Sequence, residues 1–128
     1  MDVARVSDVA PVVTPEGAMR PLLFGEHLSA IHLEVPSGLA VPPHSHPREG
    51  LAYCLGGSVE LALEGGRSVV LTADTAVVLR AGQAVGLRNP GPEPAKLLLV
   101  SSPPAATSAE ELRARIETAI AKHGHNPD

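Results

Sequence analysis

The sequence predicts an all-β domain, a sandwich or barrel of short strands, followed by one C-terminal α-helix. Three observations carry that prediction. Thirteen prolines and twelve glycines cut 128 residues into short runs. Most of these runs are rich in Val and Leu and are bounded by Gly, Pro, Asp or Asn, the pattern of strands joined by tight turns. From residue 107 the apolar spacing changes to the period of a helix.

Taken in order, the strand-like runs are HLSAIHLEV (27–35), LAYCLGGSVELALEGG (51–66), RSVVLT (67–72), TAVVLR (75–80), AVGLRN (84–89) and AKLLLVSS (95–102). Gly65-Gly66 reads as a hairpin turn, because paired glycines accept the positive φ angles that tight hairpins need. NPGPEP (89–94) reads as a loop, since its prolines cannot donate to a ladder. TSAEELRARIETAIAKHG (107–124) offers Ser108 as N-cap, Glu111 three residues on, and Gly124 as C-cap. Leu112, Ile116, Ala119 and Ile120 fall on one face of that helix, and the stripe needs a partner. The final HNPD reads as a frayed tail. The expected division is a β-domain with an N-terminal arm over residues 1–104, and the helix and tail over 105–128.

Composition narrows the function. Hydrophobic residues make up 44% of the chain, which places it among folded globular proteins. Aromatic residues make up only 2%, with Phe24 and Tyr53 alone, so the core is built from Val, Leu, Ile and Ala. Few rings and a net charge of −4 argue against nucleic-acid binding. Cys54 is the single cysteine, which excludes an internal disulfide. The start, MDVARVSDVAPVV, lacks the cationic and apolar regions of a signal peptide, and no apolar run reaches the length of a membrane span. The expectation is a cytoplasmic protein with no membrane partner.

The chemistry concentrates in GLAVPPHSHPREGLAYCLGG, residues 38–57. On a strand, residues two apart point the same way, so His44 and His46 share a face and can grip one divalent metal. Gly38, five residues, His44-x-His46 and then Gly57 resemble the first motif of the cupin family: glycine, five residues, His-x-His, three or four residues, Glu, six residues, glycine. LRAGQAVGLRN (79–89) resembles the second cupin motif, with Gly82 and Asn89 at the matching spacing, and NPGPEPAKLLLV resembles the segment that follows it. The resemblance runs over roughly residues 28–100. It implies a jelly-roll-like barrel of two packed sheets, a metal ion inside held by two His and a Glu from the first motif and a His from the second, and a homodimer.

Position by position, half of that ligand set is absent. Gly50 stands where the resemblance implies Glu, and Val85 stands where it implies the second-motif His. Glu49 is one place early and points away from the histidines in a regular strand. It becomes a third metal ligand if Pro47 introduces a bulge that flips the register. His32 has a facing that alternation alone leaves open, and His123 and His125 read as part of the solvated tail. If His44 and His46 face inward, so do Gly50, Ala52 and Cys54, and the second motif sends Val77, Leu79, Val85 and Leu87 inward. These residues describe an apolar pocket for a small-molecule ligand, or simply core. Leu51, Tyr53 and Leu55 then form an outer patch to be covered by the helix or a second subunit. Three readings follow: a metal-dependent enzyme of small molecules using His44 and His46, a non-catalytic binder of a small apolar or weakly acidic ligand, and a structural module. The fold does not choose between them.

Overall fold

A computed structural model describes residues 1–123. Ten strands are followed by one helix: β1 (Val12–Thr14), β2 (Gly17–Phe24), β3 (Ser29–Val35), β4 (Ala40–His44), β5 (Glu49–Gly56), β6 (Ser58–Ala62), β7 (Ser68–Thr72), β8 (Ala76–Leu79), β9 (Val85–Arg88), β10 (Ala95–Ser102) and α1 (Ala109–His123). All pairings are antiparallel. They form a six-stranded sheet, β1-β2-β3-β10-β5-β8, and a four-stranded sheet, β4-β9-β6-β7. The expected barrel is therefore a two-sheet jelly-roll sandwich whose ladders do not close into one cylinder.

The inward and outward sets of β5 fall as alternation predicts. Ala52 and Cys54 are buried, while Leu51 and Leu55 are exposed. Between the sheets lie Leu33, Val35, Val59, Leu71, Leu87 and Leu97, an aliphatic core as the scarcity of rings requires. The chain passes from one sheet to the other at Gly57, between β5 and β6. Its φ is +72°, and a Cβ there would lie 2.8 Å from the Pro94 carbonyl oxygen, so only glycine fits the crossing. The β6–β7 hairpin turns at Gly65-Gly66, as expected. The NPGPEP loop is organised by Asn89, a fully buried side chain. Its amide donates to the carbonyls of Val35 and Glu93, and its oxygen accepts from the Gly91 N–H. Every polar atom of that side chain is satisfied, so its burial carries no orphan penalty.

Ser108 accepts a hydrogen bond from the Glu111 N–H at the start of α1, as the capping pattern predicts. The expected C-cap at Gly124, together with His125, lies outside the described residues. Leu112, Ile116 and Ala119 are buried, and Ile120 is packed against the same core. The helix docks on β2 and β1, and Arg113 donates to the Ala10 carbonyl. It thus leaves the outer face of β5 and β8 open, where Leu51, Leu55 and Val78 are exposed.

His32 faces that outer side of the six-stranded sheet, opposite Arg20 of β2 and Leu98 of β10. It is buried all the same, and its Nδ1 has no hydrogen-bond partner among the described residues. Desolvation, then the Arg20 and Lys96 charges, hold its pKa below the ordinary 6.5, with Glu34 opposing them. A depressed imidazole pKa means that the unfolded chain binds the proton more tightly. Stability is therefore full above pH 6.5 and is lost as pH falls from there toward the folded-state value. Replacing His32→Leu should flatten this acid limb in denaturant titrations across pH, and an unchanged limb would assign it to other groups. For the helix, Ile116→Ala should cost about 2–5 kcal/mol by the same measurement, since the residue is 1% exposed. A loss well under 1 kcal/mol would mean that α1 is only loosely docked.

Candidate metal centre

The site begins with two prolines. Pro42 and Pro43 have no N–H to give to β9, and the β4–β9 register slips between Val41 and His44. The irregularity thus precedes the histidines instead of following them at Pro47. His44 closes β4 opposite Val85, and His46 lies just beyond the strand end. The carbonyl of His46 accepts the Gly82 N–H at 2.8 Å, which ties its connection to the turn between β8 and β9. Although only one of them is on a strand, the two rings meet edge to face, with centroids 4.8 Å apart and planes at 73°.

The carboxylate that joins them comes from the other sheet. Thr14-Pro15-Glu16-Gly17 is the turn of the β1–β2 hairpin. The Thr14 hydroxyl donates to the Gly17 carbonyl at 2.9 Å and accepts the Glu16 N–H at 3.1 Å. Gly17 has φ +126°, and a Cβ on it would sit 2.2 Å from the Glu34 carbonyl oxygen, so the hairpin presses directly on β3. This rigid turn holds Glu16 Oε1 3.3 Å from His44 Nε2. One donor atom from each of Glu16, His44 and His46 lies within 4.8 Å of the others.

The other ring nitrogen decides what this contact is. His44 Nδ1 lies 3.2 Å from the Pro42 carbonyl oxygen, which can only accept, so Nδ1 carries a proton. In a neutral ring Nε2 then has only a lone pair, and it faces a carboxylate oxygen. Two lone pairs at 3.3 Å repel unless a cation lies between them: a second proton on the ring, or a metal ion. A backbone carbonyl on Nδ1 is also the usual way a metal-ligating histidine is oriented. Donors on one tetrahedral ion are about 3.3 Å apart, given bond lengths near 2.0–2.2 Å. The Glu16–His44 edge already has that spacing, and two histidines with one carboxylate are a recurrent set for divalent zinc and non-haem iron. The residues present fit a divalent ion.

Glu49, the expected third ligand, is not among this group. It is exposed at the start of β5, opposite Ser102. Sequence reasoning missed Glu16 because its proximity to His44 is tertiary, across 28 positions of chain. The Pro-Glu-Gly turn could have announced a hairpin, but not what the hairpin faces.

Next to Glu16, His44 and His46 a cavity of about 200 Å³ opens between the sheets. Of the expected lining, Gly50, Ala52, Leu79, Val85 and Leu87 are present, joined by Met19, Ile31, Leu33, Leu97 and Leu99. Cys54 and Val77 face inward but pack elsewhere in the core. The Cys54 thiol donates to the carbonyls of Gly56 and Gly57, and burial pushes its pKa up, so it behaves as a small buried side chain and not as a nucleophile. Arg48, Arg80 and Gln83 also line it.

Comparisons with known proteins agree with this geometry. No curated protein matches the chain by sequence. Among solved structures, the polyketide cyclase RemF from Streptomyces resistomycificus is similar with a TM-score of 0.72 and 23% identity, over 80% of this chain and 79% of that one. TT1209 from Thermus thermophilus is similar with a TM-score of 0.66 and 27% identity, over 81% of this chain and 99% of that one. Ectoine synthase from P. lautus is similar with a TM-score of 0.74 and 19% identity, over 87% and 84%. The family model described as Cupin domain (Cupin_2) matches residues 31–101. With more than half of its length matched, and with two antiparallel sheets enclosing the His-x-His segment, the chain belongs to the cupin family.

Proposed function

We propose that this cupin holds a divalent metal ion through Glu16, His44 and His46 and presents it to a small molecule in the adjoining cavity. The observation that carries the reading is the Glu16–His44 contact, in which a lone pair on Nε2 meets a carboxylate oxygen and a cation reconciles them. When bound, such an ion supplies Lewis acidity toward a ligand beside it. The chain supplies the rest. Glu16 contributes the negative charge that two neutral imidazoles lack, the Pro42 carbonyl fixes the ring of His44, and the aliphatic walls exclude water from the bound molecule. The similar structures include a polyketide cyclase and an ectoine synthase, so the fold is compatible with several chemistries and selects none.

We place the homodimer on the open outer face. Leu51 pairs with Val78 of β8 and Val100 of β10, which gives an apolar row across an antiparallel sheet. A second copy related by a two-fold axis would meet this row with its own.

Zinc or cobalt titration by calorimetry should show one site per chain. Glu16→Gln should weaken it at least tenfold, Glu49→Gln should leave it unchanged, and affinity should fall with pH because ligand imidazoles must shed their protons. Equal uptake by wild type and by a His44→Ala/His46→Ala variant would remove the assignment. For the dimer, Leu51→Glu with Val78→Glu should halve the mass measured by sedimentation, and a monomeric wild type would refute it.

A further inference from the structure

The charged groups of the cavity are unevenly distributed by sign and by place. Its walls are aliphatic, from Met19, Ile31, Leu33, Leu97 and Leu99. The charged side chains that line it are Glu16, already committed to the histidines, and two arginines, Arg48 and Arg80. Arg80 is exposed and makes no ion pair among the described residues. Its backbone is also held in place. The Arg80 N–H donates to Gln83 Oε1 at 3.1 Å, the Gln83 N–H donates to the Arg80 carbonyl at 3.1 Å, and Gly82 between them donates to the His46 carbonyl. Because Gln83 spends its oxygen on the Arg80 backbone, its amide group is left as a donor. The turn therefore brings a guanidinium and an NH₂ group, donors only, to the cavity that the metal ligands border.

We propose that the ligand of this cavity is a small aliphatic carboxylate. Its acid group is held by Arg80, with Arg48 and Gln83 beside it, and its hydrocarbon body lies against the Leu and Ile walls. The Arg80 guanidinium favours an anion even before a divalent cation is added, and its planar fork matches a carboxylate bidentately. The aliphatic floor asks for an alkyl body, whose burial contributes with every methylene. The proposal rests on the metal reading in one respect, that the acid group arrives at the edge of the cavity where Glu16, His44 and His46 stand.

The test is a calorimetric series on zinc-loaded protein with butanoate, hexanoate and 1-hexanol. Hexanoate should bind at least tenfold more tightly than 1-hexanol, and affinity should rise roughly three- to fourfold per added methylene. Arg80→Met should lose about tenfold for hexanoate while leaving zinc uptake and 1-hexanol binding unchanged. Hexanoate binding that is equal in wild type and Arg80→Met would overturn the assignment, since the carboxylate would then be held by the ion alone. Equal affinity for hexanoate and 1-hexanol would overturn it as well. Zinc uptake, titrated separately, reports on the metal reading. If wild type takes up no zinc, the same series on ion-free protein decides: an Arg80-dependent preference for hexanoate supports the anion class, and its absence overturns it.

Discussion

The contact between Glu16 and His44 joins the two halves of the molecule, and the site is arranged around it. Glu16 belongs to the hairpin at the edge of the six-stranded sheet, and His44 ends the edge strand of the four-stranded sheet. Neither sheet alone supplies both partners of this contact. Their approach requires a β1–β2 turn tight enough to lie on β3, which Gly17 permits, and a β4 strand that slips its register, which Pro42 and Pro43 impose. The cost of setting a lone pair against a carboxylate is met by a cation, a ring proton or a metal ion, so the packing of the two sheets and the binding of that cation are linked through one pair of atoms.

The sequence made some parts of this structure legible and concealed others for a common reason. The strand over residues 95–102 appears with the bounds expected of it, and the helix buries the stripe of Leu112, Ile116 and Ala119. The helix has a clean 3.6 period, the strand is an unbroken apolar run, and neither contains proline. β2 and β4 contain Pro21 and the Pro42-Pro43 pair, and neither was named among the strand-like runs. Proline reads in sequence as punctuation, yet here it sits inside strands at points where the register shifts, Pro21/Leu23 in β2 and Val41/His44 in β4. Local rules identify a missing donor, but not whether the ladder can route around it.

The site was legible to the same degree. His44, His46 and five of the lining residues, Gly50, Ala52, Leu79, Val85 and Leu87, follow from alternation and from the resemblance to the cupin motifs. Glu16 does not, because both sources look within the motif. Alternation sent Glu49 outward, and it is exposed. A carboxylate 28 positions earlier in the chain cannot be selected by any periodicity. Arg80 and Gln83 carry no pattern either; only the hydrogen bond from Gly82 to His46 shows that their turn belongs to the site.

The two positions where the cupin resemblance implies further ligands explain why there is a cavity at all. Gly50 and Val85 both line it, one bringing no side chain and the other a short aliphatic one. Gly50 is not simply spare room, because a Cβ there would come within 3.3 Å of the Val100 carbonyl oxygen on the neighbouring strand. A glutamate at that position would therefore press on β10 before it reached the histidines. With those two places filled by small apolar residues, that part of the wall is aliphatic, and the negative charge that a metal ion would need must come from elsewhere. Glu16 supplies it from the hairpin across the sandwich. What a four-ligand shell would have used for coordination is left here as space for an apolar body, next to Glu16, His44 and His46, which would hold an ion with only three protein donors.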